Sequence, residues 1–185
     1  MFSRLSTVAF QGVDVITIDV QVQISSGAAA FRIVGLPDKA VAESRERVYS
    51  AFHAMGLSVP YRRITINLAP EEKQKEGSHY DLPIALGLLA VTGVIPSDVL
   101  SEYVALGELS LDSQLAAISG VLPAALHAAS LDKGIICPKA CGGEAAWAGD
   151  INVLAADNLL SLVNHFKGTQ VLSPPVPQIE DPTPH

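Results

Sequence analysis

Four groups of side chains in this 185-residue sequence have types and spacings that do chemistry elsewhere. Ser78 stands in Lys75-Glu76-Gly77-Ser78-His79, just ahead of an apolar run that begins at Leu82. A serine at a helix N-terminus lies among backbone N–H groups that can hold an oxyanion, as in serine–lysine hydrolases. The same residues also read as a Gly-Ser turn leading into an Asp81 cap. Cys137 and Cys141 are four apart, but structural zinc needs four N or S ligands. The surrounding segment offers no others, so the pair reads as small buried thiols. No Gly-x-x-x-x-Gly-Lys-Ser/Thr occurs, and neither Gly77-Ser78 nor Gly142-Gly143 makes a phosphate cradle of that kind. Arg45, Arg47, Arg62, Arg63, Lys73 and Lys75 form the last group. They either converge on one side as a phosphate-contacting patch or sit solvated beside Glu43, Glu46, Glu71 and Glu72.

Composition narrows the classes open to such residues. The chain is 49% hydrophobic and 17% charged, against roughly 25% charged in ordinary soluble domains. That excludes disorder, and two cysteines exclude a disulfide scaffold. The most apolar uncharged run, Leu82 to Ser97, is shorter than a membrane span and interrupted by proline, and the longer uncharged run from Ser113 to Leu131 holds Ser, Gln, His and Pro. Arg4 is followed by no apolar stretch before Asp14, so a signal peptide is not expected, and a cytoplasmic chain is. The net charge of -7 is uneven: residues 1–75 hold nine bases and seven acids, residues 76–185 three bases and twelve acids.

The elements that must position these groups follow from periodicity. Ile16, Ile18, Val20, Val22 and Ile24 alternate with Thr17, Asp19, Gln21 and Gln23, the signature of a half-buried strand. Leu5–Phe10 and Ala29–Val34 are predicted to complete a three-stranded meander with it. Asp38 is predicted to cap a helix carrying Val41, Val48, Phe52 and Met55, with Glu43 and Arg47 paired on its exposed side and Gly56 ending it. Arg63–Leu68 alternates again. Asp81 is predicted to cap a helix from Leu82 to Thr92 that is apolar all round and therefore buried. A hairpin is expected around Leu111-Asp112-Ser113. Beyond it come a helix with Leu122, Ala125, Leu126 and Ala129 inward, a strand at Gly134–Cys137 and a helix over Lys139–Ala148. A strand at Ile151–Leu154 and a helix from Asp157 to Phe166 close the pattern. Five of the twelve residues from Pro174 to His185 are proline, which reads as a linker.

Three blocks carry a resemblance. FRIVGLPDKAVAESRERVYSAF (31–52), RRITINLAPEEKQKEGSHYDLPIALGLL (62–89) and GELSLDSQLAAISGVLPAALHA (107–128) resemble, in that order, blocks of the ComM/YifB proteins. These are magnesium-chelatase-like AAA+ ATPases of bacteria. The resemblance covers residues 1–167. It implies a Lon-protease-like domain of the ribosomal protein S5 domain 2 type, an α/β (α+β) fold of mixed sheets with packed helices. Residues 168–185 would then be a linker toward an AAA+ domain absent from this chain. The implied whole protein is a hexameric helicase that drives DNA branch migration in natural transformation. ATP and Mg are implied for its missing ATPase, with no cofactor or metal in this chain. The implied partners are the AAA+ domain of the same polypeptide, further copies in a hexamer, and branched or single-stranded DNA, with no membrane.

The Lon catalytic pattern does not carry over intact. Lys75-Glu76-Gly77 matches its serine segment, but His79 then falls at the nucleophile unless Ser78 shifts by one residue. Ser119-Gly120-Val121-Leu122 matches the lysine segment, which puts Leu122 where the general base belongs. The resemblance therefore implies a non-catalytic domain with DNA contact at the six basic residues. A peptidase using Ser78 and a magnesium-chelatase subunit are the alternatives. A domain docked on an ATPase is also expected to leave an uncharged, partly apolar face exposed.

Overall fold

The computed structural model describes residues 1–70, 75 and 77–177. Its centre is a seven-stranded mixed sheet in the order β3-β4-β2-β1-β5-β8-β9. β1 (Phe2–Gln11) and β2 (Asp14–Ser25) form a long antiparallel hairpin closed by Gly12, whose φ of +60° suits a residue without a Cβ. β3 (Ala30–Val34) does not join β2, as a meander would require. β4 (Arg63–Ala69) takes that place, antiparallel to β2 and parallel to β3. The helix between them, α1 (Asp38–Ala54), makes the parallel crossover possible.

Helix α2 (Asp81–Val91) is the hub. All eleven of its residues are buried, as its uniform hydrophobicity predicts. It packs on β1 and β2 so closely that a Cβ on Gly87 would stand 2.6 Å from Val22 Cγ2. Ser3 Oγ donates to the Gly87 carbonyl at 2.7 Å in the same contact. Part of the charge deficit is thereby explained, since an internal helix needs no polar face.

β5 (Tyr103–Ala105), β8 (Gly134–Pro138) and β9 (Val153–Ala156) extend the sheet in parallel. The expected hairpin exists as β6 (Glu108–Leu109) and β7 (Leu115–Ala116), split from β5 by Leu106 and Gly107. α1, α2 and α5 (Leu159–Lys167) supply one core on one side of the sheet. α3 (Val121–Ser130) and the short α4 (Gly142–Ala145) supply a second core over β5, β8 and β9 on the other. The helix predicted over Lys139–Ala148 is thus three short turns, α4 flanked by 3-10 turns at Lys139–Cys141 and Ala146–Ala148. The mixed α/β class expected from the sequence is the one observed.

Two local readings change. α3 buries Val121, Ala124, Ala125 and Ala128, leaving Leu126 52% exposed, because its inward stripe is set one position away from the predicted one. Exposed Trp147 lies on the 3-10 turn packed against α3, so apolar surface is carried on this side of the molecule. The first part of the predicted linker folds back: Leu172 packs on the larger core and its N–H donates to His165 Nδ1 at 3.0 Å. Pro175 lies against Gly142. Residues 178–185 of that stretch lie outside the described residues.

Candidate functional site

Ser78 sits on the turn that enters α2, half-buried between two clefts. The larger, about 510 Å³, is lined by Phe10, Ser78, His79, Glu108, Ile118 and Ser119. Ser78 and Ser119 thus line the same cleft. The hydroxyl, however, donates to Glu108 Oε2 at 2.6 Å. Leu122, half-buried on α3, offers no amine. Lys75 is buried and its ammonium donates to the Pro70 carbonyl at 2.5 Å. Lys73 lies outside the described residues. His79, stacked against Tyr80, donates from Nε2 to the Val8 carbonyl at 2.7 Å, and its burial pushes its pKa below the usual histidine range.

Asp81 does more than start α2. It is 1% exposed, and its carboxylate faces away from the helix it was expected to cap. Oδ1 accepts from Ser44 Oγ at 2.7 Å and from Arg47 Nη2 at 3.1 Å. Oδ2 accepts from Arg47 Nε at 2.5 Å and the Leu109 N–H at 3.1 Å. The Arg47 guanidinium is held charged chiefly by that hydrogen bond. Burial raises the Asp81 pKa, and the four donors oppose the rise. The expected Glu43–Arg47 surface pair is therefore replaced, because a buried carboxylate without donors is far more costly than an exposed glutamate without one. Glu43 instead has Lys39 at 4.0 Å. The sequence signal for this role was present: an acid directly heading an all-apolar buried helix must find a cation.

The six basic residues separate. Arg47 and Lys75 face inward. Arg45 is exposed over the Tyr49 ring, with its guanidinium carbon 5.0 Å from the ring centre. Arg45 and Arg62 line one cleft of about 350 Å³ with Tyr49 and Tyr61. Arg63 opens β4 beside them, half-buried, its Cδ near Gly27. Both cysteines are buried thiols, Cys141 Sγ donating to the Ile118 carbonyl at 3.6 Å, and burial pushes the Cys137 pKa well above the usual thiol range. No group of His, Cys, Asp and Glu suited to a metal occurs among the described residues. No helix among them is long and apolar enough to cross a membrane.

Residues 20–141 match the family described as subunit ChlI of Mg-chelatase. The chain belongs to that family. Within it the chain is a member of the ComM/YifB group that its three sequence blocks pointed to. The competence protein ComM of Haemophilus influenzae is 37% identical over 172 residues, which is 93% of this chain and 33% of that protein. YifB of Escherichia coli is 38% identical over 175 residues, 95% of this chain and 35% of its own length. A Mycobacterium tuberculosis protein is 36% identical over 172 residues, 92% of this chain and 34% of its own. The chain spans about a third of the length of the curated relatives it matches.

Proposed function

We propose that this chain is a non-catalytic domain of a ComM-like, cytoplasmic AAA+ DNA motor, and that it helps assemble the motor's hexamer and contacts DNA. ATP and Mg would be bound by an ATPase region on the same polypeptide, joined through the Pro-rich stretch after residue 167. The observation that carries the non-catalytic reading is the Ser78 hydroxyl: its partner is a glutamate carboxylate, and leucine stands where the Lon-like pattern has its lysine. A serine needs a base that can take its proton and then a site for the oxyanion, and an adjacent anion disfavours the latter. DNA contact rests on exposed Arg45 and Arg62 at one edge, with Arg63 next to them. Titration of the chain against branched DNA at about 50 and 200 mM salt tests this, with tight binding expected at low salt and a steep loss at high salt. No binding at low salt removes the DNA reading. Casein or peptide cleavage that disappears in Ser78→Ala would overturn the non-catalytic one.

A further inference from the structure

One end of the second face of the half-sheet β3-β4-β2-β1 lies under α3, where Thr17 Oγ1 meets His127 Nε2 at 2.6 Å and Val8 and Val15 join its core, while toward Phe2, Gln23 and Arg32 the face is open. The register aligns its side chains into rows. Arg32, Thr65, Gln23 and Phe2 stand side by side across the four strands. Asn67, Gln21 and Arg4 follow in the next row, and Arg63 lies one row beyond on the other side. Asn67 Nδ2 donates to Gln21 Oε1 at 3.4 Å, and Gln21 Nε2 to Asp19 Oδ2 at 2.7 Å. Arg4 Nε donates to Asp19 Oδ1 at 2.8 Å, so the face's carboxylate is already matched. Lys133 reaches the same face, donating to Ser6 Oγ at 3.3 Å. Four cations against one acid lie here on a chain whose net charge is -7. Phe2, 58% exposed, is the aromatic among them.

We propose that this open face is a platform for single-stranded DNA, with Arg4, Arg32 and Arg63 contacting phosphates and Phe2 stacking on a base. The inference rests on the DNA reading above and deepens it, since Arg63 joins the two surfaces. Charge selects a polyanion. A protein partner would be expected to find an apolar centre, and these rows are arginine, amide and hydroxyl. Shape selects a single strand, because a duplex is read by an element that enters a groove, while a flat sheet presents nothing to insert. Three strand spacings of about 4.8 Å give a face about 14 Å wide, room for the two or three stacked bases that open sheets hold elsewhere.

The test is fluorescence anisotropy of a labelled oligothymidylate of about 20 nucleotides, with a duplex of equal length beside it. Arg4→Glu, Arg32→Glu and Arg63→Glu together are expected to weaken single-strand binding at least about tenfold and to flatten its salt dependence by about two log units per log unit of salt. Phe2→Ala is expected to weaken single-strand binding about five-fold or more and duplex binding less. Arg32→Glu and Phe2→Ala, each at an exposed position, decide the matter alone if the triple variant does not fold. If the wild-type chain binds DNA but these variants bind as it does, or Phe2→Ala is silent on single strands, the platform is overturned and the broader DNA reading stands. A wild-type chain that binds neither probe at low salt removes both.

Discussion

The two faces of the β3-β4-β2-β1 half-sheet come from the same strands, yet they obey different rules. On the inner face Val20, Val22, Ile64, Ile66 and Leu68 are fully buried under α1 and α2. On the outer face their immediate neighbours Gln21, Gln23, Thr65 and Asn67 are half-buried or exposed. Strand alternation alone separates them. Changes of volume or charge on the inner face are costly, because the helix above it is buried on every side. The outer face has no such constraint, so charge and hydrogen-bonding groups can accumulate there at little cost to stability. A domain of this size can thus keep a charged, hydrogen-bonding surface apart from its folding core on the same strands.

The largest effect is expected at the inner side's Asp81–Arg47 ion pair. Asp81→Ala strands the Arg47 guanidinium and is expected to destabilise by about 3 kcal/mol or more in urea unfolding. The double variant Asp81→Leu with Arg47→Met should recover much of that loss, since apolar pairs replace buried ion pairs well. A near-neutral Asp81→Ala would mean that the pin is ornamental. Gly87→Ala comes next, at about 1–3 kcal/mol, because its new methyl meets Val22 Cγ2 across the α2–β2 contact. A change below about 0.5 kcal/mol would show that this contact can relax.

Acid should act by a smaller margin, through two histidines. Burial lowers the pKa of His79 and of His165 in the folded chain below the unfolded value of about 6.5. Protonation therefore favours unfolding. Their contribution is complete above about pH 6.5 and is lost as pH falls through the folded values. His165 Nδ1 must also be unprotonated to accept the Leu172 N–H. Thermal melts between pH 7.5 and 5 should show a falling Tm, and His165→Gln should lessen the fall. A flat profile would detach both histidines from stability. The outer face should respond least: Gln23→Ala or Arg32→Ala is expected to shift stability by no more than about 0.5 kcal/mol. A larger loss there would erase the contrast between the faces.

Much of this was legible residue by residue. The alternation from Ile16 to Ile24 gave both the strand and its buried set, and the uniform apolarity after Asp81 gave a helix buried all round. The turn glycines at 12 and 56 stand where the chain reverses and where α1 ends. The site was read less well. Ser78 and the Ser119 segment do share a cleft, but Glu108 as the serine's partner was invisible, because thirty residues separate them. Local spacing pairs Arg47 with Glu43 one helical turn away, whereas the carboxylate that takes its guanidinium lies at position 81. Nothing local in the sequence links Arg4 to Arg32; only the strand register does.

The sequence by itself determined which side of the long strands is apolar, where α1 and α2 begin and end, and the family to which the chain belongs. Those properties are local, or are preserved as contiguous blocks. Only the tertiary structure decided that β4 separates β3 from β2, that Asp81 is held by Arg47, and that Arg4, Arg32 and Arg63 share one open face. The reason is that a period of two states which way a side chain points but not which strand lies beside it. Pairing between distant segments is chosen by how the whole core closes.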